Sequence, residues 1–317
     1  MTNQLTLLPS DKTFSDILEV VRSFPSTAPI VDIAQRIDLR VREESIFVAA
    51  TGAGKTTLLT QLGIVNDPAL PPVSTTAHCY GVLDDNGQHS DETLCRTMVA
   101  MLRHQRTQKY HSPNYKPIIM LRNSTWHRIS NQFMWVPRER VGVFAFPQDA
   151  YATMLRTVGA PEWLIEGFLG PTWTSELCDA RGHFLPKVAW DATVALASGT
   201  ALTTSKHRAI ATAGIKLWEE SPTLQHFRQH MPTVVPDDIS YRLQGAKLQI
   251  SKQRLLSRLL SAREVAPLEK SRPQYVRALE AEGVVKLRPQ GWYVFAGVHA
   301  AGLTNLKHRI LLSKIKQ

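Results

Sequence analysis

The chain has 317 residues, a formal net charge of +10, 43% hydrophobic residues and three widely spaced cysteines, Cys79, Cys95 and Cys178. That length allows two domains and a packed core, and no apolar run approaches the roughly eighteen residues that a membrane-spanning helix needs. The odd cysteine count fits a reducing compartment, and the opening MTNQLTLLPSDK has neither a basic start nor a continuous apolar core, so a cytoplasmic protein with no secretory signal is expected.

Residues 14–24 place Ile17, Val20, Val21 and Phe24 on one helical face, and Pro25 stops that helix. Pro29 then suits the first turn of a second helix carrying Ile30, Ile33, Ala34 and Ile37, all eight positions being expected in the core. A strand follows over Ile46–Ala50 and runs into Thr51-Gly52-Ala53-Gly54-Lys55-Thr56. With Ala49 at the position of the usual first glycine, this resembles a phosphate-cradling P-loop. The resemblance implies backbone N–H groups of Gly52 and Gly54 on phosphate oxygens, Lys55 on the outer phosphates and Thr56 on Mg²⁺.

The surroundings argue against a working site of that kind. Gly63 and Asn66-Asp67-Pro68 cut the following helix short, and Asp84 of Tyr80–Asp85, the best candidate for a metal-positioning carboxylate, comes 29 residues after Lys55 with Pro68, Pro71 and Pro72 between. The apolar runs Pro117–Leu121 and Val141–Phe146 end in Arg122 and Pro147 rather than in acid. No alternating βαβ series, and hence no parallel nucleotide-binding sheet, is expected. His78, Cys79, His89 and Cys95 lack the close pairing of a structural zinc site, so no metal is expected.

A helix is expected from about Ser90, with Leu94, Val99 and Leu102 apolar. Residues 101–140 hold eight Lys/Arg against Glu139 alone, and Arg103, Arg106, Lys109, Lys116, Arg122, Arg128, Arg138 and Arg140 interleave with Tyr110, Tyr115, Trp126, Phe133 and Trp135. Cations beside aromatics suit a single-stranded nucleic acid, although the same aromatics could be core residues. Residues 147–198 read as helical, with a turn at Asp179–Gly182, and Pro232–Asp238 opens an expected linker, 232–250, after a main domain of 1–231.

From Lys247 onward fourteen Lys/Arg face four glutamates, Glu264, Glu269, Glu280 and Glu282. An amphipathic helix over Ser251–Arg263, a second from about Arg272 with Tyr275, Val276 and Leu279 inside, a C-cap at Gly283 and a hairpin over Val284–Phe295 follow in order. VRALEAEGVVKLRPQGWYVF resembles the ending of a winged helix, so 251–317 is expected to be a winged-helix-like domain with a basic tail at Lys307–Lys316. The resemblance implies that Arg272, Gln274 and Arg277 face DNA, with Lys286 and Arg288 beside the wing, while Glu280 and Glu282 would repel phosphates.

The helical N-terminus, the Thr51-Gly52 segment, LRNSTW at 121–126 and the helical remainder also resemble the large subunit of type IV CRISPR effectors. That likeness implies a non-catalytic subunit of a guide-RNA complex. The paired cysteines with which many members hold zinc are absent here. The fold expected is α+β and mainly helical, with a mixed or irregular β region. The function expected first is a non-catalytic nucleic-acid-binding subunit of a prokaryotic nucleoprotein assembly, meeting DNA or RNA and other protein subunits through Arg103, Arg106, Lys109, Arg122, Arg128, Arg138 and the C-terminal set, with no cofactor. The alternatives are a P-loop NTPase using ATP or GTP with Mg²⁺ at Gly52, Gly54, Lys55, Thr56 and Asp84, coupled to the winged helix, and a scaffold for acidic protein partners.

Overall fold

A computed structural model describes residues 12, 14–64, 79–108, 115–198, 235, 238–244, 273–288 and 293–300. The fold is mixed α/β with a small parallel sheet, and it divides into two compact units. One comprises residues 32–147 with 245–247; the other joins 1–31 to 148–244 and 248–317. In this division the C-terminal segment groups with the helices of 148–198. Among the described residues no helix is long and apolar enough to cross a membrane.

The unit of 32–147 holds four strands, β1 (Ile46–Ala49), β2 (Cys79–Asp84), β3 (Tyr115–Arg122) and β4 (Val141–Phe144), in the order β2-β3-β1-β4 and all parallel. This corrects the expectation that no βαβ series exists. Strands buried on both faces read as unbroken apolar runs, and PIIML of β3 is such a run, whereas β4 at the edge of the sheet leaves Val143 exposed. Between them lie α2 (Lys55–Gln61), α3 (Asp91–Gln108) and α4 (Asn123–Ile129), α1 being Phe14–Arg22 in the other unit.

The chain steps from β1 past β3 to β2, then returns through β3 and crosses beyond β1 to β4. Right-handed crossovers taken in opposite directions put their helices on opposite faces of a sheet. One face accordingly packs Ile46, Val48, Leu83, Ile119 and Leu121 against Leu94, Cys95, Met98, Met101 and Leu102 of α3 and against Ile129, Phe133 and Val136. Trp126 and Phe133 belong to this core, on α4 and the 3-10 turn after it rather than on strands. Ser90 caps α3, its hydroxyl accepting the Thr93 N–H at 3.1 Å.

The helix expected from Pro29 does not form. The Asp32 carboxylate accepts the Ala34 N–H at 2.9 Å, an Asx-turn that competes with helical pairing. Ile30, expected in the core, is exposed.

In the other unit α1 packs on α8 (Pro186–Ser198), with Phe24 stacked on Trp190 and the Trp190 indole N–H donating to the Pro25 carbonyl at 3.1 Å. The helices α5 (Gln148–Thr157), α6 (Glu162–Leu169) and α7 (Pro171–Leu177) fill residues 147–177. Downstream, α9 (Pro273–Ala281) ends at Gly283, whose φ of 73° and the Val284 N–H to Leu279 carbonyl bond make the expected C-cap. The antiparallel hairpin of β5 (Val285–Leu287) and β6 (Tyr293–Phe295) follows. Its partner helix over Ser251–Arg263 and the tail at Lys307–Lys316 lie outside the described residues.

Of the described residues within 232–250, Val235, Ile239, Arg242 and Leu243 are fully buried. The Arg242 guanidinium donates to Asp238 at 2.7 Å and lies 3.6 Å from Glu282, while His299 meets the same Asp238 oxygen at 2.8 Å. The C-terminal hairpin is stitched to the Asp179 turn by the Ala180 N–H to Gly283 carbonyl and Val298 N–H to Cys178 carbonyl bonds.

Candidate nucleotide site

Because all four strands run the same way, their carboxyl ends share one edge of the sheet. Ligands of open α/β sheets bind at that edge, where successive connections leave in opposite directions. Here β1 is such a point, since its own connection leads towards β2 and the connection from β3 passes to β4.

Past Ala49 the chain makes a tight turn, the Ala53 N–H donating to the Ala50 carbonyl at 3.2 Å. Gly52 and Gly54 hold φ of 79° and 83°, a region in which side-chain-bearing residues are strained. Space is not the reason for Gly54, because an added Cβ would meet Phe146 and Ile33 only at ordinary contact, 3.6 and 3.8 Å. The backbone angle is. Lys55 is buried, its ammonium 3.4 Å from the Ala50 carbonyl at the start of the loop, while Thr56 faces solvent.

The decisive contact joins this loop to β2. The Thr56 hydroxyl donates to Asp84 Oδ2 at 2.5 Å. Asp84 is buried, and its Oδ1 has no hydrogen-bond partner among the described residues. A buried carboxylate oxygen left unpaired costs free energy, and here it stands beside a solvent-facing hydroxyl. The short, proline-bearing connection from Lys55 does not keep the two apart, as the sequence spacing had suggested.

Asp84 and Asp85 are neighbours with different surroundings, because successive strand residues point to opposite faces. Leu83 belongs to the α3/α4 core, so Asp84 falls on the α2 side and Asp85 returns to the α3/α4 side. There Arg122, at the end of β3, grips Asp85 with both arms, Nε to Oδ2 at 3.0 Å and Nη2 to Oδ1 at 2.9 Å, and its backbone N–H adds a third bond. Burial alone would raise the Asp85 carboxyl, but the hydrogen bonds from Arg122 and Thr125 and the guanidinium charge outweigh it and hold it below the usual carboxylate range. Asp85 is thus spoken for, and Asp84 is the carboxylate open to a ligand.

The edge also carries Asn123, Ser124 and Thr125, all buried, with Asn123 Nδ2 lacking an acceptor among the described residues. Sequence reasoning met Asn123 and Ser124 only within LRNSTW and gave them no site role, and it gave Arg122 a different role. The signal was present in a polar triplet placed one residue after the apolar run PIIML. The structure therefore brings Gly52, Gly54, Lys55, Thr56 and Asp84 together at one edge.

The cations expected to hold nucleic acid differ in their surroundings. Arg122 is bound to Asp85, and Arg128 donates to Asp91 at 2.8 and 2.9 Å. Arg103 and Arg106 are exposed on α3, and Arg138 is exposed before β4. Gln274 and Arg277 lie on α9, and Arg277, Lys286 and Arg288 are exposed. Lys109 and Arg272 lie outside the described residues.

Mg²⁺ suits the donor set at the loop. It is held in most sites by one or two protein oxygens together with substrate phosphates rather than by a full protein cage. Among the described residues no group of three or more His, Cys, Asp or Glu could form such a cage, and the unpaired Asp84 Oδ1 beside Thr56 Oγ1 matches the smaller requirement. Comparison of the chain with protein-family models, with curated proteins and with solved structures finds no match to any of them.

Proposed function

We propose that the chain binds a nucleoside triphosphate with Mg²⁺ on the Thr51–Thr56 loop, with ATP or GTP hydrolysis as the reaction the site supports. The observation that carries this reading is the Thr56–Asp84 contact at 2.5 Å with a second, unpaired oxygen on the buried Asp84. The loop N–H groups and Lys55 receive phosphate oxygens. Thr56 and Asp84 would hold Mg²⁺ there, and the ion would supply neutralisation of the charge that grows on the phosphates during transfer. Arg122 fixes Asp85 and thereby the end of β2, keeping Asp84 turned to the loop.

Thermal unfolding with ATP and GTP, each with Mg²⁺ or with EDTA, tests the reading. Ligand at about 100 times its dissociation constant adds about 2.7 kcal/mol of stability, so a rise in melting temperature confined to the Mg²⁺ samples and lost in Lys55→Ala is expected. No rise with either nucleotide rejects it.

Nucleic-acid contact by the C-terminal helix and hairpin is a second reading, and one observation favours it. Arg277, Lys286 and Arg288 are exposed, whereas Glu282, which the sequence set against phosphate, is buried beside Arg242. A winged helix there would couple the nucleotide site to DNA, within a nucleoprotein assembly of the kind the type IV CRISPR likeness implies. A gel shift with duplex DNA, abolished in a Lys286→Glu, Arg288→Glu double variant, supports it; a shift unchanged by the pair removes it.

A further inference from the structure

The opposite end of the same sheet, where its strands begin, has a surface of different character. Ser45, just ahead of β1, donates its N–H to the Arg140 carbonyl and accepts the Ile119 N–H, so the entries to β1 and β4 are tied to each other and to the middle of β3. Lys116, on β3, donates to the carbonyls of Leu39, Arg40 and Arg42, and Arg140 donates to the Glu43 carbonyl at 3.0 Å. The helix α3 runs against the strands and delivers its last turns to this end, as the edge-on contact of His104 with Tyr115 at 4.7 Å records.

Arg103, Arg106, Arg138 and Arg140 are all exposed here. Arg40 and Arg42 are ion-paired with Asp38 and Glu44, which leaves Glu43 and Glu139, among the described residues, as the acids without an ion pair at this end. The surface is therefore cationic. It also shows apolar groups that a solvated rim would hide: Trp135 is 48% exposed, Met134 84% and Val41 80%. Phe133 lies beneath Trp135, ring centroids 6.3 Å apart, and steadies the indole from the core side.

We infer that this amino-terminal end of the sheet binds a single-stranded polynucleotide, with phosphates on Arg103, Arg106, Arg138 and Arg140 and a base stacked on Trp135. Four exposed guanidiniums complement a phosphate backbone, and an indole half open to solvent offers a ring face to a base that duplex pairing would keep stacked. The structure thus sorts the described part of the cationic stretch: Arg122 and Arg128 are ion-paired with Asp85 and Asp91, Trp126 and Phe133 pack in or against the core, and Arg106, Arg138 and Arg140 lie exposed at this end. Along β1 and β4 that end is separated from the nucleotide loop by four residues, about 13 Å. The inference does not rest on the nucleotide reading.

Fluorescence anisotropy of labelled oligo-dT and oligo-rU, about 20 nucleotides each, with the full chain and no nucleotide tests it. Saturable binding is expected, weakening with salt between about 50 and 200 mM along a log–log slope of about −0.7 per phosphate held. Loss of one stacked base predicts roughly 10-fold weaker binding in Trp135→Ala, from about 1–3 kcal/mol per base, restored in Trp135→Phe. Arg106→Glu with Arg138→Glu should flatten the salt slope, and Lys55→Ala should change nothing. The Trp135, Arg106 and Arg138 substitutions are at the surface, and circular dichroism checks for every variant that the fold is kept. Stronger binding of one oligonucleotide assigns the strand as DNA or RNA. The inference is overturned by absence of binding, by binding indifferent to the Trp135 and arginine changes, or by equal displacement by poly-glutamate, which would make the face a site for acidic proteins.

Discussion

At the scale of single residues, two adjacent carboxylates have been given separate tasks by the pleat of one strand. Asp85 is closed into a bidentate pair whose side chains are 0% and 13% exposed, and Asp84 keeps an oxygen in reserve beside Thr56. Removing one partner of a buried pair strands the other charge, so Arg122→Ala is expected to lower unfolding free energy by about 3–5 kcal/mol in a urea titration, with Arg122→Lys recovering part of it. Asp84→Asn should instead leave stability nearly unchanged while abolishing Mg²⁺ dependence. The same pair explains why sequence reasoning misjudged Arg122. Its partner lies 37 residues away, and a local charge count registers a free cation where folding makes a neutralised one.

Among the elements, the glycine loop separates conformational need from ligand need. Gly54 and Gly63 both hold left-handed backbones, φ 83° and 66°, and neither faces a steric barrier to a methyl group. Alanine at either position should therefore cost about 1–2 kcal/mol. Only Gly54→Ala should weaken nucleotide binding, and a melting series with and without Mg²⁺ and nucleotide distinguishes the two. The strand-to-glycine junction, α3 with its Ser90 cap, the helical run from 147 and the Gly283-capped helix with its hairpin were all legible, because periodicity and turn chemistry are local. The parallel sheet was not. Nothing within Tyr115–Arg122 or Val141–Phe144 says that these strands flank β1, and the ends in Arg122 and Pro147 looked like disqualifications when only β2 needed to end in acid. The Asp32 turn defeated the helical spacing after Pro29 in the same way, through one side-chain bond that periodicity does not register.

For the whole molecule, the net charge of +10 proves a poor guide until partners are assigned. The unit containing the C-terminal hairpin holds an internal polar network of Asp238, Arg242, Glu282 and His299 beside its apolar core, and that network sets an acid limit. Burial would raise the Asp238 carboxyl, but Arg242 and His299 bring it down to about 2. A depressed folded-state value means stability present above the unfolded carboxylate range and lost as pH falls through the folded one. With an unfolded value near 3.9, about 2–3 kcal/mol should disappear between about pH 4 and 2, and Asp238→Asn should flatten that part of the stability profile; Asp85, shifted the same way, adds a second acid-sensitive contribution in the other unit. In the parallel sheet, native-state hydrogen exchange should be slowest at Phe47, Val48, Met120 and Leu121, on the two strands paired on both sides. The most direct test of the nucleotide site is calorimetric titration of ATP and GTP into the wild-type chain and Asp84→Asn, with and without Mg²⁺. Tighter binding with Mg²⁺ in the wild type, by at least about 10-fold from a charged contact of about 1.5–3 kcal/mol, and equal binding with and without it in Asp84→Asn, is the expected result; an identical Mg²⁺ effect in both proteins would contradict the assignment of Thr56 and Asp84 to the metal.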